Sequence, residues 1–359
     1  MMSSGFHALK IAEVRREIDD AVSLCFTVPE ELRDEFRFTP GQHLTLRTDM
    51  EGEDIRRNYS ICAAPYEGEL RVAIKQVRGG RFSTWANSAI TAGQTMDVMA
   101  PHGSFTWTFD PDRSAVYAGF AGGSGITPIL SLLKTALREE PKSRFVLFYG
   151  NRASSSIMFL EEIAAMKNRF LGRLEVYHFL EDEEDDITLF NGRLDTAKTA
   201  EIFGPLIDPA NIDAAFICGP GPMMDAVEAG LKEAGVPGDR ILIERFTVGE
   251  MTAEQLAYAR ALEQKAEGRK VKLTLNGRRS TVTFDAEKGS ILENARAAGM
   301  PAPFACKAGV CATCRAKVVS GEVTMKQNFG LAPEEVAAGY VLSCQAVPLT
   351  DDVELNFDA

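Results

Sequence analysis

Cys306, Cys311, Cys314 and Cys344 are spaced C-x4-C-x2-C, with the fourth cysteine after a gap of 29 residues. Thiolates in this order hold a [2Fe–2S] cluster, and such a cluster moves electrons one at a time. Zinc sites also use four cysteines, usually as two C-x2-C knuckles; here only Cys311 and Cys314 form one. Lys307-Ala308-Gly309-Val310 and Ala312-Thr313 are small or flexible. Backbone N–H groups can therefore turn toward sulfur, where a cluster has more acceptors to satisfy than a zinc ion. A disulfide framework belongs mainly to small secreted chains. The opening MMSSGFHALK lacks the long apolar stretch of a secretory leader, so reduced cysteines in the cytoplasm are expected. Cys25 and Cys62 read as small buried hydrophobes.

Other segments carry a second kind of chemistry. On a strand, Arg57-Asn58-Tyr59-Ser60 puts Arg57 and Tyr59 on one face and Ser60 on the other. The fixed charge of arginine suits a pyrophosphate, and a tyrosine ring offers an apolar face to a flat cofactor. A surface arginine beside a core tyrosine is the plain alternative. Gly80-Arg81-Phe82-Ser83-Thr84 lets backbone approach closely where a helix begins, with free N–H groups and the dipole facing an anion, or else simply caps that helix. Gly122-Gly123-Ser124-Gly125-Ile126-Thr127-Pro128 follows an apolar run and opens a helical one. It is not G-x-G-x-x-G, since Pro128 takes the sixth position counted from Gly123, as suits a first helical turn. A glycine turn presenting N–H groups to a dinucleotide pyrophosphate is still what it offers. Cys218-Gly219-Pro220 ends a later apolar run, at the edge where ligands collect in open α/β sheets. Gly150-Asn151-Arg152, with Ser154, Ser155 and Ser156 next, offers a charge and hydroxyls to the 2′-phosphate of NADPH. Arg152 stacking on adenine is the other reading.

These segments need elements to position them. A chain of 359 residues with 45% hydrophobic content has room for two to three cores. A net charge of −12 argues against nucleic acid as a partner. No run approaches the roughly 18 apolar residues of a membrane span. The acidic run from Glu181 to Asp186 reads as a solvated loop. Up to about Asp112, short alternating runs at 23–28, 43–47, 70–76 and 95–99 are punctuated by glycine and proline, the pattern of a small antiparallel barrel. From Ser114 apolar runs at 115–120, 144–149, 174–179, 214–218 and 241–246 alternate with helical patterns such as 128–137 and 156–167, which predicts a parallel sheet. Residues 251–269 are polar and rich in Ala, Glu, Gln and Lys, an expected linker with some helix. Beyond it, runs at 271–275 and 280–284 flank Asn276-Gly277, a hairpin signal, and a helix at 291–298 precedes the cysteine loop.

Together these residues resemble the ferredoxin–NADP reductase superfamily fused to a plant-type ferredoxin, over essentially the whole chain. The stretches Phe38-Thr39-Pro40-Gly41-Gln42-His43-Leu44-Thr45-Leu46 and Phe216-Ile217-Cys218-Gly219-Pro220 carry the resemblance, as does the tail from Ala338 through Cys344 to Ala359. It implies a multidomain protein: an antiparallel β-barrel flavin domain (1–111), an α/β parallel-sheet NAD(P) domain (112–247), a linker (248–268) and an α+β, β-grasp ferredoxin domain (269–359). Arg57, Tyr59 and Ser60 would hold FAD, with Ser60 bonded near flavin N5, and Gly80, Phe82, Ser83 and Thr84 would form the phosphate loop. FMN fits the same motifs. Gly123, Gly125 and Thr127 would take the nucleotide, with Thr127 near its nicotinamide end. Cys218, Gly219 and Pro220 would align nicotinamide C4 with the flavin; an inert buried cysteine is the alternative for Cys218. Arg152 and Ser155 would select NADPH over NADH, and Phe246 would pack on the flavin's far side or finish the core. Ser60, Thr127 and Cys218 are thus the expected catalytic residues. The four histidines, His7, His43, His102 and His178, are dispersed and no E-x-x-H motif is present, so oxygen chemistry belongs elsewhere. The implied acceptor is a separate oxygenase component, the di-iron phenylacetyl-CoA 1,2-epoxidase. An NADH-dependent reductase of a Rieske dioxygenase or steroid hydroxylase is the alternative.

Overall fold

The computed structural model describes residues 5–246 and 253–359 and divides into two compact units, one spanning Gly5–Phe246 and the other built from the C-terminal part. In the first, strands β1 (Phe6–Ile18), β2 (Ala21–Thr27), β3 (His43–Met50), β4 (Glu53–Ser60), β5 (Leu70–Lys75) and β6 (Thr95–Met99) form an antiparallel sheet. Their order is β4-β3-β6-β1-β2-β5. The edges close on each other through the Ile61–Val72 bridge and the Cys62 N–H bond to the Arg71 carbonyl (2.9 Å), so the sheet is a barrel. Leu9, Ile11, Leu24, Leu44, Leu46, Ile74 and Val98 fill it. Helix α1 (Arg81–Ser88) buries Phe82 and Ala86 against this core.

Residues 116–244 form the parallel sheet that the alternating pattern predicts. Strands β7 (Val116–Gly122), β8 (Arg144–Asn151), β9 (Leu174–Leu180), β10 (Ala214–Cys218) and β11 (Ile241–Glu244) are ordered β11-β10-β7-β8-β9. Helices α2 (Ile126–Glu139), α3 (Leu160–Arg169), α4 (Thr196–Ile202) and α5 (Gly221–Glu233) connect them. Side chains of β10 alternate between two cores. Ala214, Phe216 and Cys218 join Ile129, Leu133 and Phe145; Ala215 and Ile217 join Phe120, Phe148 and Val227. Strands buried on both faces read as continuous apolar runs, which is why this sheet was visible in the sequence. Barrel and sheet are fastened together within this unit. Ser131 Oγ donates to the Ala63 carbonyl (2.6 Å), and Glu162 binds both Lys134 of α2 and Arg71 of β5.

The second unit has strands β12 (Lys270–Leu275), β13 (Arg278–Thr283), β14 (Arg315–Ser320), β15 (Val323–Met325), β16 (Tyr340–Leu342), β17 (Ala346–Pro348) and β18 (Val353–Asn356). The main sheet runs β13-β12-β18-β14-β16, with β15-β17 as a separate ribbon. Asn276 and Gly277 take φ of 52° and 70°, the two left-handed positions of a type I′ hairpin turn. Helix α7 (Ile291–Ala297) buries Ile291, Leu292 and Ala295, Ser290 accepts from the Glu293 N–H at its start, and α8 (Pro333–Ala337) lies before β16. The expected linker divides differently. Residues 248–252 lie outside the described residues, and the rest holds helix α6 (Ala253–Lys265), whose Glu263 pairs with Lys326 at 2.6 Å and whose Leu262 packs on the core of this unit. No helix among the described residues is long and apolar enough to cross a membrane.

Candidate functional site

On the barrel, β4 ends at Ser60, which is buried; Tyr59 is half-buried, its ring 5.6 Å from that of Phe82. Arg57 stands exposed, its Nη1 donating to the Arg56 carbonyl (2.7 Å). Helix α1 starts after Gly80 with neither a side-chain N-cap nor an acidic residue in its first turn, which leaves its positive end suited to an anion. Ser83 Oγ accepts from the Val77 N–H (3.0 Å) and donates to the Gly80 carbonyl (3.1 Å), shaping the loop before the helix. A Cβ on Gly80 would lie 2.6 Å from that oxygen. Thr84 follows, accepting from Gln76 Nε2 at 3.5 Å. An open helix end, an exposed guanidinium and a tyrosine ring fit a flavin dinucleotide.

On the sheet, Gly122 to Gly125 interlock with Cys218 to Pro220. A Cβ on Gly125 would sit 2.1 Å from the Cys218 carbonyl oxygen, one on Gly122 2.5 Å from Pro220 Cδ, and one on Gly219 2.9 Å from the Gly122 nitrogen. Gly123 has φ +51°, and its carbonyl accepts from the Tyr149 hydroxyl (3.0 Å). Thr127 is buried at the start of α2, with its hydroxyl donating to the Ser124 carbonyl (3.0 Å). Its role within the protein is thus to hold the glycine turn. Asn151, at the carboxyl edge of β8, is buried with neither amide atom bonded to protein, a polar group of the kind a bound nucleotide satisfies.

Two residues left unassigned by sequence reasoning link these halves. His43 on β3 is the cross-strand partner of Ser60, and Glu244 on β11 is the partner of Cys218. His43 Nδ1 lies 4.0 Å from Glu244 Oε1. Ser60 of the barrel and Cys218 of the sheet therefore flank one junction. His43 is buried, and that burial, with the His102 ring 4.2 Å away, drives its pKa well below the ordinary value. Burial also pushes the Cys218 thiol well up, with Glu244 adding to the effect, so the group is held as a thiol rather than as a nucleophilic thiolate. His43 had no local signal. Glu244 had one, since it lies within the last predicted strand, 241–246, whose Phe246 stays 40% exposed.

At the far end of β8, Arg152 is exposed and its Nε lies 3.7 Å from Asp182 Oδ2. Glu183 Oε1 accepts from the Ser154 N–H (2.8 Å) and hydroxyl (2.9 Å), while Ser155 is exposed. The acidic run, read as solvated, thus turns two carboxylates onto the groups expected to meet a 2′-phosphate.

In the second unit the thiols meet two and two. Cys306 lies beside Cys311 and Cys314 beside Cys344, and within each pair the shared proton pushes one thiol above its ordinary pKa and lowers the other. Among the described residues no three ligand side chains gather about one point. Two pairs suit two irons, each taking two thiolates. The Ala308 N–H points at Cys306 Sγ (3.3 Å), the Cys306 N–H at Cys311 Sγ (3.4 Å), and Gln345 Nε2 at Cys344 Sγ (3.8 Å). Lys307 and Ala312 adopt left-handed φ of 57° and 53°, a strained conformation for non-glycine residues that turns these amides inward. This cradle of N–H groups around paired sulfurs fits a [2Fe–2S] cluster.

Comparison with known proteins covers the same three regions. Residues 8–107 match the oxidoreductase FAD-binding domain family, 120–229 the oxidoreductase NAD-binding domain family, and 273–349 the 2Fe-2S iron-sulfur cluster binding domain family. The chain is 44% identical over 354 residues to a subunit of 1,2-phenylacetyl-CoA epoxidase from Escherichia coli (strain K12), covering 99% of this chain and 98% of the relative. It is 35% identical to the ferredoxin reductase component of 3-ketosteroid-9-alpha-monooxygenase from Rhodococcus rhodochrous, over 97% and 96% of the two chains. Among solved structures it is similar in fold to phthalate dioxygenase reductase, with a TM-score of 0.60, 24% identity and 98% coverage of both chains.

Proposed function

Since the chain belongs to the ferredoxin–NADP reductase-like family whose members carry a C-terminal ferredoxin domain and serve oxygenases, we propose that it passes electrons from NADPH to a phenylacetyl-CoA epoxidase. It is an electron-transfer oxidoreductase with sites for FAD, a pyridine nucleotide and a [2Fe–2S] cluster, and its relatives are reductase components of multicomponent oxygenases. The observation that carries the choice of partner is similarity, along 99% of the chain, to one component of that epoxidase. The setting is the cytoplasm, where the thiols stay reduced.

FAD, held on the barrel, would supply the exchange of a two-electron hydride for single electrons, and a cluster held by the four thiolates would supply one-electron transfer. The residues do the positioning. Arg57 and the open end of α1, with Gly80, Ser83 and Thr84, hold the flavin's phosphates, and Tyr59 and Phe82 support its ring system. Ser60 and Cys218 fix the reacting faces from opposite sides of the junction, which is where orientation has its effect on rate. Gly123, Gly125, Gly219 and Pro220 bring backbone close to the nucleotide, with Thr127 holding the turn, and Arg152 and Ser155 receive the 2′-phosphate. Phe246 covers the flavin. Cys306, Cys311, Cys314 and Cys344 bind the irons.

A second reading has one observation in its favour. Asp182 and Glu183 face Arg152 and Ser154, and acids near the adenosine ribose favour NADH, as a reductase for another oxygenase could use. Reconstitution with the purified oxygenase component, O2 and phenylacetyl-CoA separates the two. Substrate consumption that is faster with NADPH than NADH supports the proposal; no consumption with either removes the partner.

A further inference from the structure

Helix α2 is buried from Ile126 to Leu137, yet it carries Thr127, Ser131 and Lys134 among its apolar residues. At i, i+4 and i+7 these three share one face of the helix. Polar groups inside a core need partners, and here the partners lie in a revealing order. Thr127 Oγ1 donates to the Ser124 carbonyl (3.0 Å) and holds the glycine turn. Ser131 Oγ donates to the Ala63 carbonyl (2.6 Å), three residues past Ser60. Lys134 Nζ donates to Glu67 Oε2 (3.1 Å), and that same oxygen accepts from the Ala64 N–H (2.7 Å). We infer that Ser131 and Lys134 are positioning residues for hydride transfer, setting the separation between the Ser60 end of the barrel and the nucleotide turn of the sheet. The inference rests on the reading that Ser60 and Cys218 flank the flavin.

The connection is stiff on both sides. In the barrel, the Ile61 N–H donates to the Gln42 carbonyl and the Cys62 N–H to the Arg71 carbonyl, each at 2.9 Å. The chain from Ser60 to Ala63 is thus held to its neighbours along its length. On the helix, a rise of 1.5 Å per residue places Ser131 roughly 6 Å and Lys134 roughly 10 Å along the axis from Thr127. One contact would leave the helix free to pivot; two on the same face also fix its direction. Lys134 is held from its other side by Glu162 of α3, which also accepts from Arg71 Nη2 of the barrel at 3.0 and 3.2 Å. Apolar packing already joins the two halves, since Cys62 and Ala73 share a buried cluster with Ile126, Ile129 and Leu130. Such packing has no direction, whereas hydrogen bonds demand set distances and angles. Hydride transfer needs the second kind of control. The C–H bond at nicotinamide C4 breaks and its electron pair forms the N–H bond at flavin N5, leaving the nucleotide oxidised and the flavin reduced by two electrons. The rate of that step depends on closeness and alignment.

The test uses full-length holoenzyme carrying Ser131→Ala or Lys134→Met, the latter keeping the aliphatic stem without the ammonium. FAD content and melting temperature identify folded variants, and Ser131→Ala carries the test if Lys134→Met does not fold. Flavin reduction is followed in single turnovers with NADPH, and with NADPH deuterated at the transferred position, over a range of temperatures. Nucleotide affinity and the long-wavelength charge-transfer absorbance of nucleotide against flavin are measured at equilibrium. Ser131→Ala is expected to slow hydride transfer roughly 10- to 100-fold, with unchanged nucleotide affinity. The charge-transfer absorbance should weaken and the isotope effect should vary more steeply with temperature, which a loss of stability alone would not produce. A normal rate, absorbance and isotope effect in folded Ser131→Ala overturn the inference, and so does slowing that saturating NADPH abolishes. Ser60→Ala and Cys218→Ala report on the underlying reading. If neither slows flavin reduction, that reading falls and the inference with it. If either does while Ser131→Ala and Lys134→Met behave as wild type, only the inference falls.

Discussion

Single side chains in this protein hold roles that their chemistry decides. Under the proposed function Cys311 is one of four thiolates that hold the cluster, so Cys311→Ser is expected to remove electron delivery to the oxygenase. Reduction of a dye that accepts directly from flavin should persist in that variant. Equal loss of both activities in a folded protein would mean the carriers do not act in series. Two histidines, one buried and one half-buried, set the response to acid. His43 and His178 both have folded pKa values below the unfolded value of about 6.5, in each case first through burial, then through His102 and Lys167 respectively. In a group whose folded pKa is depressed, the unfolded chain binds the proton first, so stability falls as pH drops below about 6.5. Each such histidine contributes a slope of at most about 1.4 kcal/mol per pH unit, lost down to its folded pKa. Melting temperature measured from neutral pH downward should decline, and His178→Asn should flatten the decline. An identical profile in that variant would show that His178 adds nothing. At this scale the sequence was legible where the thiols that come together are neighbours in the chain, as in Cys306 and Cys311. It was opaque where register makes the neighbour. His43 and Glu244 meet only because β3 pairs with β4 and β11 with β10.

Elements were legible in proportion to how simply their period shows. The runs at 95–99 and 214–218 coincide with β6 and β10, whose pattern is regular. Strand β1 was missed because its register against β2 shifts between Ile11 and Glu13 and again between Arg16 and Ile18, which breaks the alternation that marks a strand. Helix α6 is polar, with Ala259 its one buried residue, and composition alone could not separate it from a linker. What composition could not convey at all is how closely elements approach. Gly125 has an ordinary φ of −62°, so only space demands glycine there. Gly125→Ala drives a methyl into the Cys218 carbonyl and is expected to cost about 1–3 kcal/mol or more, with loss of nucleotide binding. Unchanged melting temperature and nucleotide affinity would show that the two loops can part freely. The joint between barrel and sheet gives a second case. Burial alone would raise the Glu162 carboxyl, but Lys134 and Arg71 outweigh it and hold it low. Glu162→Ala would leave those two cations almost fully buried, with side-chain exposures of 2% and 6%, and without this partner. The cost should approach the 3–5 kcal/mol of a broken buried pair, reduced to roughly 2–3 kcal/mol because Glu162 itself keeps 28% exposure. Denaturant titration of the two proteins measures the difference.

The whole molecule is a chain of carriers made from independent cores. The buried clusters that contain Leu9 through Val236 share no residue with the one running from Ala266 to Leu355. A cut between Phe246 and Ala253 therefore divides no core, and each piece keeps the burial that folds it. The piece 5–246 is expected to be a yellow flavoprotein that reduces ferricyanide from NADPH at nearly the full rate and gives nothing to the oxygenase. The piece 253–359 should carry the spectrum of an oxidised [2Fe–2S] cluster without reacting with NADPH. Mixing them tests what the covalent connection contributes. A covalent connection presents its partner at a millimolar effective concentration. Pieces mixed at about 1 μM, if they do not associate, should then transfer electrons on the order of a thousand times more slowly than the intact chain, recovering in proportion as either is raised. Measured rates that match the intact protein at 1 μM would mean that the pieces bind each other tightly by themselves, and the connection would be dispensable. Loss of dye reduction in 5–246 would be more serious, because it would make the flavin site depend on residues beyond its own unit.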